Sequence, residues 1–191
     1  MTLHDGTQKY AVLCYDIPSE VKMPNPSMFL RRLGFRWNKS VWVLPMKHVA
    51  LVPLKEWTEK GAKPGVVEFA EHEEEKVVAL AKQYMTKDLD ETRAFVDAVV
   101  AEVRKRLDAA KALGTGTPER EKHLKETKAY AYASLYRAKQ IADAVEEGAL
   151  HFDITGDIGA LSDALRQSIK AKSAMFFAMQ NEASGITALA V

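Results

Sequence analysis

The residues best suited to chemistry lie in one short stretch. Arg31, Arg32, Phe35, Arg36, Trp37, Lys39 and Trp42 fall within twelve positions, and Lys47 follows soon after. Cations neutralise phosphates and exposed aromatic faces stack on bases, so the combination suits a platform for single-stranded nucleic acid. The plainer reading places Trp37 and Trp42 in a core or an interface, with ordinary surface charges around them. Arg31, Arg32, Arg36, Trp37, Lys39 and Lys47 are the candidate nucleic-acid-binding residues, with DNA or RNA as the expected partner.

Other chemical signals are weaker. Glu71 to Glu75 with His72 set a His and a Glu three residues apart on a helix face, a spacing that can hold a metal. Acids in a first helical turn are equally well explained by the helix dipole. Asp153 and Asp157 offer oxygen ligands but lack calcium-loop spacing, so they read as helix caps. His4, His48, His123 and His151 are scattered. No phosphate-binding Gly-Lys-Ser loop, dinucleotide fingerprint or nucleophile elbow is present, so no cofactor is expected and a non-enzymatic role is favoured. Cys14, the only cysteine, sits in an apolar run and reads as a small buried hydrophobe. A lone cysteine excludes an intrachain disulfide.

Composition sets the frame for these residues. The 191 residues are 47% hydrophobic and 28% charged, enough for a core with a polar surface. Net charge is only +1, so no global field recruits a polyanion. Residues 1–65 carry ten Lys/Arg and five Asp/Glu, net +5; residues 66–191 carry seventeen and twenty-one, net −4. The N-terminal part is therefore the better match for a polyanion. No stretch reaches the length of a membrane span, the first residues do not read as a signal peptide, and a cytoplasmic location with no membrane partner is expected.

The elements that must position the basic run follow from periodicity. Residues 9–17 read as a buried strand ended by Pro18. Pro26, with Asn25 as cap, opens a short helix that stops at Gly34. Residues 35–46 read as two strands about a turn at Asn38–Lys39. A helix over 47–60 is interrupted by Pro53. Lys63-Pro64-Gly65 reads as a turn before a last strand with Val66, Val67 and Phe69. The order strand, helix, strand, strand, helix, strand is ferredoxin-like.

From about residue 72 the period becomes helical. Val77, Leu80, Ala81 and Tyr84 form one stripe. Phe95, Val96, Val99, Val103 and Leu107 form another, with Asp88 or Asp90 capping the second segment. Thr117 and Pro118 start a helix that Gly148 ends, with Tyr132 and Tyr136 packed on a neighbour. Asp157 or Gly159 opens the last. The expected fold is α+β: a ferredoxin-like βαββαβ domain over 1–71, then an antiparallel helical bundle over 72–191.

The first third also resembles known families. Tyr15-Asp16-Ile17-Pro18 resembles the first-strand ending of the dimeric CRISPR adaptation nuclease-like family. Leu33-Gly34-Phe35 followed by Val41-Trp42-Val43-Leu44-Pro45 is similar to that family and to the PaaX and ChrB transcriptional regulators, and the helical tail is similar to the ChrB arrangement. The resemblance covers about residues 9–70 and implies a ferredoxin-like homodimer acting near nucleic acid. It also implies a metal role for Asp16. The loop after Asp16 lacks the Asp-Arg pattern of the nuclease-like family, which weighs against metal-dependent hydrolysis, and no winged helix of the PaaX kind is seen. The leading expectation is a homo-oligomeric, regulatory or nucleic-acid-associated protein. The alternative is a scaffold that self-assembles through its sheet edge, its bundle and its apolar C-terminus.

Overall fold

Short β-branched and aromatic runs form the strands, and helix-forming runs with Gly and Pro only near their ends form the long helices. The computed structural model describes residues 9–21, 26–68 and 74–184. Expectations resting on His4, Asn25, Phe69, His72 and its neighbours Glu71 and Glu73, and the apolar residues 186–191 lie outside the described residues.

The elements are β1 (Tyr10–Asp16), α1 (Ser27–Leu33), β2 (Phe35–Asn38), β3 (Val41–Pro45), α2 (Met46–Val49), α3 (Leu54–Glu59), β4 (Lys63–Glu68), α4 (Glu74–Lys111), α5 (Pro118–Ala149), a 3-10 turn (Leu150–Phe152) and α6 (Thr155–Ser184). The chain is α+β, one four-stranded antiparallel sheet with a mostly helical remainder. It forms two compact units, Met1–Asp88 with Asp143–Ser162, and Leu89–Ala142 with Asp163–Val191.

In the first unit the strands lie in the order β2-β3-β1-β4, every neighbouring pair antiparallel. Side chains alternate across a strand. Leu13 and Tyr15 of β1 and Trp42 and Leu44 of β3 therefore share one face, buried against Leu30 and Leu33 of α1, Trp57 of α3 and Val52 just before it. The same alternation turns Cys14 to the other face. It is exposed, not the buried hydrophobe its apolar neighbours suggest. Part of that face is covered: Tyr10 and Phe35 pack on Phe152 at 5.4 Å each, and Phe35 stacks on Tyr84 at 6.1 Å.

Several details depart from the sequence expectations. Lys63-Pro64-Gly65 is not a turn but the first half of β4, an edge strand where proline is tolerated. The turn comes earlier, at Gly61 with φ +94°. Gly34 does end α1, but in extended backbone. A Cβ there would lie 2.0 Å from the Val43 carbonyl oxygen, so close approach demands the glycine. Gly148 does not end α5; it is buried within it, and a Cβ would lie 2.2 Å from the Arg31 carbonyl oxygen. Asp153, with φ 55°, makes the left-handed stop instead. α4 is one helix of 38 residues, because nothing between Glu74 and Lys111 breaks it. Asp88 is therefore mid-helix rather than a cap.

In the second unit α5 opens as its sequence predicts: Pro118 takes the first turn and the Arg120 backbone N–H donates to Thr117 Oγ1 at 3.4 Å. Lys172 pairs with Asp97, and Lys111 with Glu182 at 3.1 Å, so α4 and α6 run in the same direction. Gln180 Nε2 donates to the Leu124 carbonyl oxygen and Arg120 Nη2 to that of Ala183, so α5 runs against α6. Val96, Val99, Val103, Leu107, Leu135, Leu165, Ile169 and Phe176 form the core. Phe95, Tyr132 and Tyr136, expected inside, are exposed. No described helix is long and apolar enough to cross a membrane.

Candidate nucleic-acid interface

The basic run divides into three groups, each set by its element. Arg31 sits on the last turn of α1 and is 8% exposed. Its Nε donates to Asp88 Oδ2 at 2.6 Å and its Nη2 to Asp88 Oδ1 at 3.1 Å, a two-pronged pair. Its guanidinium also lies 5.9 Å from the centre of the Trp42 ring. Arg36, on β2, donates from Nη2 to the same Oδ1 at 3.1 Å. One carboxylate thus receives two arginines, and the side chains of Arg31 and Asp88 are only 10% and 7% exposed. Arg36 keeps 27% of its side chain exposed. Arg31 is a strut between α1 and α4, not a surface cation.

Arg32, one residue on, faces outward and is half exposed. Its Nε lies 3.5 Å from Glu147 Oε2. Its carbonyl oxygen is 3.0 Å from His151 Nε2, and the Leu33 carbonyl oxygen is 3.3 Å from His48 Nδ1. The two imidazoles meet edge to face, 4.2 Å between centres. They give the end of α1 polar partners that its short helix leaves unmet. Burial, reinforced by the neighbouring His48, pushes the His151 pKa below the usual histidine value, against the hydrogen bond to Arg32.

The third group is the hairpin tip. The turn holds Lys39 and Ser40, one residue later than expected, and the Lys39 N–H donates to Asn38 Oδ1 at 2.7 Å. Arg36 pairs with Trp42 and Asn38 with Val41, so Trp37 is the extra residue of a bulge. A bulge re-aims the side chain it carries. Trp37 is 37% exposed, in contrast to Trp42 at 0% and Trp57 at 4%. Lys39 is exposed beside it. Lys47 is exposed on α2, at the opposite end of β3, about 13 Å away along the strand.

The geometry leaves Trp37, Lys39 and part of Arg36 exposed on the β2–β3 hairpin. It separates Lys47 and withdraws Arg31. Asp16 stands exposed at the end of β1, across from Lys63 in register. Among the described residues no three His, Cys, Asp or Glu side chains gather as a metal site. The residue that sequence reading missed is Asp88. Its signal was present: Ala81, Met85, Leu89, Thr92, Val96 and Val99 make a buried stripe, and Asp88 lies in that stripe as a carboxylate. No protein-family model, curated protein or solved structure matches the chain.

Proposed function

We propose that the first unit is a ferredoxin-like binding module of a non-enzymatic protein, and that it engages single-stranded nucleic acid at the β2–β3 hairpin tip. The antiparallel order β2-β3-β1-β4, with α1 and α3 on one face, supports the ferredoxin-like reading. One observation carries the functional reading: Trp37 is displaced from the ladder by a bulge and half-exposed beside Lys39. Arg31 and Arg36, anchored on Asp88, hold that hairpin in place. Trp37 supplies a stacking face, and Lys39 and Arg36 supply charge.

Anisotropy of a labelled single-stranded 12-mer tests it. Binding should weaken with salt. Trp37→Ala should weaken it by about tenfold, the value of one stacked base. Lys39→Gln should lower the slope of log affinity against log salt by about 0.7. Affinity indifferent to both substitutions would exclude the hairpin.

A second reading rests on a different surface. Val12, Cys14, Val41 and Val67 share the sheet face turned from α1, and Val67 is 65% exposed. The aromatics of this face, Tyr10 and Phe35, are buried, and its open part offers aliphatic groups, so it suits protein rather than bases. It supports self-association. Cys14 then reports it: mild oxidation should link dimers through Cys14, and Val67→Lys should abolish the link. A chain that stays monomeric at high concentration would remove this reading.

A further inference from the structure

The bulge in β2 does more than expose Trp37. Plain alternation would put Trp37 and Asn38 on opposite sides of the strand. Arg36 pairs with Trp42 and Asn38 with Val41, so one extra residue is absorbed between them and the two side chains fall on the same side. Both are exposed at the hairpin tip, where the ladder ends.

The Asn38 amide is oriented by the chain itself. The Lys39 backbone N–H donates to Asn38 Oδ1 at 2.7 Å. An N–H can only donate, so Oδ1 turns toward the backbone and Nδ2 turns away from it. Lys39, exposed and next in the chain, carries donors only, and the one polar atom of Trp37, Nε1, is also a donor. The side chains around the stacking face therefore offer hydrogen-bond donors. A base stacked on Trp37 can satisfy them only through acceptors. Guanine has two adjacent acceptors on one edge, O6 and N7, whereas adenine sets its N6 amino donor beside N7. Cytosine can offer N3 and O2, but its single ring covers less of an indole than a purine does. Resting on the single-strand reading above, we propose that this hairpin prefers guanine, the base lying on Trp37 with O6 and N7 toward Asn38 Nδ2 and Lys39 Nζ.

Anisotropy of labelled 12-mers that carry one base among abasic sites tests the preference on the full chain. Guanine should bind at least about fivefold more tightly than adenine or cytosine, the lower end of what a matched pair of hydrogen bonds discriminates. Replacing guanine by 7-deazaguanine, which has C–H in place of N7, should remove most of that advantage and needs no variant of the protein. Asn38→Asp keeps an oxygen for the Lys39 N–H but exchanges the outward donor for an acceptor. Its charge should weaken every oligonucleotide, and the preference for guanine over adenine should vanish. Adenine or cytosine binding as tightly as guanine, with affinity still lost in Trp37→Ala, would overturn the preference and leave the single-strand reading standing. No gain of any base over the fully abasic 12-mer would overturn both. A guanine preference that survives 7-deazaguanine or Asn38→Asp would overturn the assignment of the reading groups.

Discussion

Two aspartates on α4, nine residues apart, stand in different units and behave differently. Asp88, in the first unit, is 7% exposed and receives Arg31 and Arg36. Asp97, in the second, is 59% exposed and pairs with Lys172. Removing a charge from water costs several kcal/mol per ion, so a buried carboxylate must be fully paired, whereas an exposed one need not be. The first unit therefore commits Arg31 and Arg36 to its own architecture, and the proposed binding surface is the exposed hairpin tip. The second unit leaves the Asp97 carboxylate at the surface.

The largest expected effect is at Asp88. Asp88→Ala leaves Arg31 buried and uncompensated and should cost about 3–5 kcal/mol in urea unfolding. Asp97→Ala should cost less than about 1 kcal/mol. Equal losses would erase the contrast between the units. The contrast sharpens with a double replacement: Asp88→Leu with Arg31→Met should recover most of the loss, because a packed apolar pair replaces the ions.

Next is Gly148. Its Cβ would meet the backbone at Arg31, which cannot yield as a side chain does, so Gly148→Ala should cost about 1–3 kcal/mol. Unchanged stability would show that α5 and the end of α1 are less tightly apposed.

The smallest effect is a pH dependence. His151 has its pKa lowered in the folded chain, chiefly by burial. Its neutral form is therefore favoured by folding. That contribution is complete above the ordinary histidine value near 6.5 and is lost as pH falls through the folded value below it. Thermal midpoints should drop between pH 7.5 and pH 5.5, and His151→Gln should flatten the drop. A variant as pH-sensitive as the parent would place the proton elsewhere.

Much of the scaffold was legible because it follows from local rules. An apolar run of β-formers marked β1, alternation marked β3, Pro53 split α2 from α3, and the Thr117–Pro118 pair opened α5. What was not legible depended on partners far along the chain. Arg31 and Trp37 are both ordinary members of a basic and aromatic run. Only the arrival of Asp88, 57 residues later, buries one, and only a bulge exposes the other. Gly148 looked like a helix end because glycine often is one. Its real role is set by a carbonyl in α1. Cys14 followed its apolar neighbours in sequence but not its face of the sheet. Pro64 suggested a turn because its place at a sheet edge is a tertiary fact.

The account stands or falls on whether the exposed hairpin tip, rather than the buried arginines, meets the ligand. Tryptophan emission reports it directly, since Trp37 is half-exposed while Trp42 and Trp57 are buried. Titrating a single-stranded oligonucleotide should quench the emission of the parent chain, and Trp37→Leu should lose both the quenching and most of the affinity. Quenching that persists in Trp37→Leu, with affinity unchanged, would contradict it.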